Sequence, residues 1–222
     1  MKPVPQLLSN GLPVPFIAPW SGERSLPGEI VHRRGPGRGI GYADEQIAGD
    51  RWNDVLWIRY SFTPGRGRPE LGGTHPMRQR QAISHMLCQV CGTSTISTSG
   101  GDERHLFLVA APDGEPITEG ERTTSPPIHA ACAVKSLRHC PHLKRGHTAA
   151  LVEYCPLWGV AGITHDPRTL LPLPSGGDGE GLDFVSYTDP LLPWTLAARL
   201  VITLHGCTTV DLADLAAQTA VA

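Results

Sequence analysis

Hydrophobic positions along this chain fall into short blocks set apart by glycine and proline. In DVLWIRYSFT, Asp54 to Thr63, the residues Val55, Trp57, Arg59 and Ser61 alternate with Leu56, Ile58, Tyr60 and Phe62. The block is rich in β-branched and aromatic residues and is closed by PGRGRP, so it predicts a strand. HPMRQRQAISHML, His75 to Leu87, has helical spacing instead, with Met77, Ala82, Ile83, Met86 and Leu87 as a partial apolar face against Arg78, Gln79, Arg80 and Gln81. AACAVKSLRHC is made of good helix formers, and Pro141 stops it; Ser125 is the expected N-cap and Pro126 and Pro127 the expected first turn. TAALVEY, WGVAGITH and ARLVITLHGC predict strands, the last of them buried. VDLADLAAQTAVA predicts a short alanine-rich helix with Leu212 and Leu215 as its apolar contacts. The fold class this implies is α+β, with mostly antiparallel strands and few helices.

Punctuation divides the chain. Residues 1–48 are rich in Pro, Gly and Arg and read as a wrapping segment, with RRGPGRG (Arg33 to Gly39) its most flexible-looking piece. Residues 49–222 read as the α+β body, containing a metal module at 88–143 and a second flexible loop, PLPSGGDGEG, at Pro172 to Gly181. No repeat has a solenoid or propeller period. Within the first segment, PFIAPWSGE places Trp20 and Glu23 around a Ser-Gly turn. A core tryptophan followed by a surface turn is one reading, and a substrate-facing pair is the other.

Composition narrows the classes. At 222 residues the chain is long enough to bury a core without a metal as its only support. Its 25 Gly and 21 Pro point to many turns. The net charge of -2 supplies no global basic field, so any nucleic-acid or anionic-membrane binding must come from local patches. Prolines 3, 5, 13 and 15 interrupt any apolar run at the N-terminus, and no stretch approaches the ~18 apolar residues of a membrane span. A soluble cytoplasmic protein is expected. In that reducing setting six cysteines read as metal ligands and free thiols rather than as a disulfide framework.

The cysteines are spaced accordingly. Cys88-x2-Cys91 is followed by Gly92, which frees the backbone for a tight knuckle, and His129-x2-Cys132 stands at the start of the expected helix. Four soft donors in two pairs suit a closed, structural Zn2+ site of the Cys3His type. Cys140 is the rival for the fourth position, but it lies eight residues beyond Cys132, about two turns along the helix. The arrangement resembles the treble-clef class of zinc-binding modules: a CxxC knuckle, a β-hairpin, then a helix carrying the second ligand pair. The resemblance covers Cys88 to about Cys140 and extends to Cys88, Cys91, His129 and Cys132 alone. It implies a scaffold used by ribosomal proteins, nucleases, transcription factors and interaction modules. The combination of WSGE, RQR and CQVCG also resembles bacterial proteins to which no activity attaches.

Other residues suggest partners. Lys135, Arg138, Lys144 and Arg145 cluster after Cys132, and Arg78 and Arg80 would extend them into one phosphate-gripping surface. The expected role is therefore a zinc-stabilised binding protein that contacts nucleic acid or a protein partner. The alternative is an enzyme whose site lies outside the zinc: nuclease-like of the HNH type through His105 with Asp102 and Glu103, or built around Trp20 and Glu23. The usual Asp-His pair and following Asn of that nuclease type are missing. Cys155 and Cys207 read as buried thiols, and a His205–Cys207 nucleophile pair has no orienting acid in the sequence. No GxxxxGK[ST], G-x-S-x-G or H-E-x-x-H motif is present.

Overall fold

The structure, a computed structural model, describes residues 6–33, 37–96, 104–175 and 181–219. In chain order its elements are β1 (Leu8–Ser9), β2 (Leu12–Pro13), β3 (Ile30–His32), β4 (Ile40–Tyr42), α1 (Ile47–Asp50), β5 (Arg51–Trp52), β6 (Val55–Trp57) and α2 (Pro76–Ser84). Then come β7 (His105–Ala110), β8 (Arg122–Thr123), α3 (Ala130–His139), α4 (Pro141–Lys144), β9 (His147–Val152), β10 (Leu157–Thr164), β11 (Asp183–Ser186), β12 (Thr195–Thr203), β13 (Thr208–Thr209) and α5 (Leu212–Thr219). Short helices and mostly antiparallel pairings make this the expected α+β class. No helix among the described residues is long and apolar enough to cross a membrane.

The chain divides into two compact units. The first comprises Met1–Pro19, Pro69–Pro156 and Ile202–Ala222, and the second Trp20–Arg68 and Leu157–Val201. The expected 1–48 segment is thus itself shared between them.

In the first unit a three-stranded antiparallel sheet has the order β13-β9-β7, with Phe107 opposite Ala150 and Thr208 opposite Leu151. Leu106, Leu108 and Ala149 from this sheet meet Ile128, Ala133 of α3 and Leu212 of α5 in one core that also contains Cys88 and Val90. The α5 assignment and its leucine contacts match the sequence expectation, because residues 212 and 215, three apart on a helix, both face that core. β8 pairs with the end of β12, Ile202 opposite Thr123. The two strands between the ligand pairs, β7 and β8, therefore pair with β9 and β12 and not with each other.

In the second unit a sheet runs β11-β10-β12-β6-β5, antiparallel between β10 and β11 and between β5 and β6, and parallel between β12 and β6. Val55, Leu56 and Trp57 are all buried, so the predicted 54–63 strand is short and has no solvent face. Just beyond it Arg59 donates to the Asp50 carboxylate at 2.8 Å and 2.7 Å and stacks 4.2 Å from the Tyr42 ring centroid. A Cβ at Gly159 of β10 would overlap the Val185 carbonyl of β11, which explains a glycine inside a strand.

Trp20 is buried before the exposed Ser21-Gly22 turn, as its core reading expects, and Glu23, 3% exposed, accepts the Trp20 and Thr63 N–H groups at 2.9 Å each, so its carboxylate organises the loop. Two expectations are corrected. On α2 the interior face carries Arg78 and Gln79 with Ala82 and Ile83, while Met77 is exposed. Those polar side chains are buried because they serve loop carbonyls: Arg78 donates to Ala18 O at 2.8 Å and Gln79 to Thr124 O at 2.7 Å. Finally, α3 begins at Ala130 with His129 as its N-cap, not at Ser125. Pro126 and Pro127 lie before the helix, and their carbonyls accept hydrogen bonds from the Gln89 side chain at 3.0 Å and from the Gln89 N–H at 2.9 Å. Residues 34–36 of RRGPGRG and 176–180 of the second loop lie outside the described residues.

Candidate metal centre

The knuckle is built by its own backbone. Cys88 N–H donates to Thr93 O and Gly92 N–H to Cys88 O, both at 2.8 Å, which closes the turn and leaves the two sulfur atoms on its inner side. Gly92 sits at φ +71°, beneath the Phe16 ring. The chain before Trp20 holds the knuckle from outside, with Phe16 N–H donating to Val90 O at 2.9 Å and Gln6 Nε2 to the same oxygen at 3.2 Å.

The second pair is placed by β7. Ile128 N–H donates to Leu106 O at 2.8 Å, which fixes the residue before His129 against the sheet. The first turn of α3, closed by Ala133 N–H to His129 O at 2.8 Å, then carries Cys132 to the same side. Donor atoms of Cys88, Cys91, His129 and Cys132 all lie within 4.8 Å of one another, an arrangement that can hold a metal ion. The sequence-predicted set is brought together complete; Cys140, between α3 and α4, is outside it.

Neighbouring groups orient these donors. His129 Nε2 lies 2.9 Å from Ser94 O, and a carbonyl only accepts, so this nitrogen carries the proton. Nδ1 therefore faces the sulfur atoms, 3.3 Å from Cys91 Sγ. The Thr93 hydroxyl lies 3.1 Å from Cys91 Sγ, and the His129 N–H points at Cys88 Sγ at 3.4 Å. Thr93 and Ser94 carried no signal in the sequence beyond their place just after the knuckle.

Electrostatics at the cluster favour one thiolate. Hydrogen bonds from Cys132 and then His129, helped by backbone N–H groups and opposed by burial, hold the Cys88 thiol down at about 3. Its hydrogen bond to His129, helped by its charge, pushes that imidazole up to about 9 against the effect of burial, and its hydrogen bond to Cys132, with burial and then its charge, drives that thiol far above the ordinary range. Three thiols in so small a space cannot all ionise unless a cation compensates them. A divalent ion would supply that compensation, and its binding would release protons.

The remaining candidates separate. Arg78, at 3% exposed, leaves the proposed basic surface because its guanidinium is folded into the interior. Arg80 is half-buried, and burial lowers its pKa. Lys135, Arg138, Lys144 and Arg145 are exposed on α3, α4 and the turn that follows. His105 is half-buried with Nδ1 3.0 Å from the Thr95 hydroxyl, and burial holds its pKa below the ordinary histidine range. Asp102 and Glu103, its suggested companions, lie outside the described residues. Burial pushes the Cys155 thiol up to about 12. No family model, curated protein or solved structure matches the chain.

Proposed function

We propose that the chain is a zinc-stabilised binding protein in which Cys88, Cys91, His129 and Cys132 hold one Zn2+ and the helix after Cys132 presents cations to nucleic acid. The observation that carries this reading is the convergence of three sulfurs and one imidazole nitrogen, from segments 41 residues apart, within 4.8 Å. Zinc suits a thiolate-rich tetrahedral set, and four protein ligands leave no position for a reacting water, so its contribution is structural. The knuckle and the ligand-bearing helix support a treble-clef relationship, while the pairing of β7 with β9 departs from the hairpin of that class.

Nucleic acid is favoured over a protein partner because Lys135, Arg138, Lys144 and Arg145 are exposed on α3, whose first turn carries two of the ligands, and on α4 and the turn that follow it. Elemental analysis of protein purified without added zinc should find about one zinc per chain, lost in Cys88→Ser. Binding to duplex and single-stranded oligonucleotides should weaken with salt, and Lys144→Ala and Arg145→Ala should each reduce the slope of log K against log salt by about 1. Metal without any salt-dependent binding would keep the centre and reject the nucleic-acid partner.

A further inference from the structure

His205 stands between an acid and a hydroxyl, all three in the first unit. Its Nδ1 is 2.6 Å from Glu119 Oε1, and the other carboxylate oxygen accepts the Gly206 N–H at 2.9 Å. Its Nε2 is 3.2 Å from Thr203 Oγ1. A carboxylate only accepts, so in the neutral ring Nδ1 carries the proton and Nε2 is left to accept from the Thr203 hydroxyl. The cysteine next in sequence is not part of this chain of contacts: Cys207 Sγ lies 3.8 Å from Thr118 O.

The backbone holds the three groups in place. Thr203 and His205 are two apart on an extended run, which puts both side chains on one side. His205 exchanges hydrogen bonds with Tyr154, N–H to O at 2.9 Å and O from N–H at 3.2 Å. Gly120 N–H donates to Leu204 O at 2.8 Å, which pins the turn that carries Glu119. The imidazole is 39% exposed and the carboxylate 63%, so a substrate reaches them from solvent. The exposed Tyr154 ring lies 6.1 Å from the imidazole and offers a flat apolar face beside it.

We propose that Thr203, His205 and Glu119 form an acyl-transfer site for activated aryl esters, with Thr203 Oγ1 as nucleophile, His205 as general base and Glu119 as the positioning residue. Oγ1 forms a bond to the ester carbonyl carbon while its proton passes to His205 Nε2 and the carbonyl π pair moves onto oxygen. Collapse of that intermediate breaks the bond to the aryl oxygen, which leaves with the proton from Nε2. Water then adds to the Thr203 ester with His205 again as base, releasing the acid and restoring the hydroxyl.

Substrate class follows from what the backbone lacks to give. The N–H groups of Thr203, Leu204, His205 and Gly206 are committed to Pro156 O, Glu121 O, Tyr154 O and Glu119 Oε2. They do not stabilise an oxyanion, so the leaving group must be a good one, as a phenolate is.

The full-length protein is mixed with p-nitrophenyl acetate, quenched in acid during the first turnover, and the acetyl group located by peptide mass spectrometry. The expected result is acetyl on Thr203. His205→Gln should reduce it on the order of 100-fold and Thr203→Val abolish it, while Thr203→Ser retains it. Glu119→Gln should slow the labelling and Glu119→Asp restore it, in variants whose melting curves match the parent. Acetyl confined to lysines and cysteines, or Thr203 labelling that His205→Gln leaves unchanged, overturns the proposal. Should His205→Gln fail to fold, the location of the acetyl group in the unaltered protein and in Thr203→Ser decides the matter by itself.

Discussion

Gly92 meets two requirements at once. Its φ of +71° is left-handed, and a Cβ there would stand 2.7 Å from Phe16 Cδ2. Gly92→Ala should therefore cost about 1–2 kcal/mol from conformation alone, and more from displacing the ring. Urea unfolding of the metal-loaded protein measures this; an unchanged midpoint would mean that backbone and ring both relax freely. Asp50 shows the same economy in charge, since its carboxylate takes two hydrogen bonds from Arg59 and one from the Gln46 N–H. The Arg59 guanidinium holds its carboxyl below the ordinary carboxylate range, so the folded state favours the ionised form. That contribution is complete above the unfolded value near 3.9 and disappears as pH falls through the lower folded value. The stability gap between the parent and Asp50→Asn should be constant near neutrality and shrink only below about pH 4, as followed by denaturation at a series of pH values.

Among the elements, α3 joins the candidate metal centre to the core. Ile128, 2% exposed, packs with Leu106, Leu108 and Cys88 and immediately precedes the candidate ligand His129. Ile128→Ala should cost about 2–5 kcal/mol and also weaken metal binding, because the cavity lies beneath the turn that positions His129 and Cys132. Denaturation and a competitive metal titration test the two parts. The helix itself was legible from its helix formers and from Pro141, but its start was not. Pro126 and Pro127 suit a first turn, yet their carbonyls bond to Gln89 of the knuckle, a contact between segments far apart in sequence. α2 was legible as a helix and misread as a face, because Arg78 and Gln79 find their acceptors on Ala18 and Thr124.

For the whole molecule, the two units carry different reporters. All six cysteines fall in the first unit, and all five tryptophans fall in the second. Chelation should therefore expose Cys88, Cys91 and Cys132 to a thiol reagent while leaving the tryptophan emission maximum unchanged. Emission that shifts in step with thiol exposure would show that loss of metal unfolds both units together. No feature of composition announced this division, since each unit is assembled from segments distant in sequence.

What the sequence by itself determined was the cluster of candidate ligands and the fold class. Both depend on local spacing: two thiols across one tight turn, two donors across one helical turn, and blocks of strand and helix formers between glycine and proline. Tertiary structure decided which cations stay at the surface, which polar side chains are buried, and that His205 has Glu119 as its acid, 86 residues away. Such pairings depend on where the backbone brings distant residues together, and neither periodicity nor motif spacing encodes that.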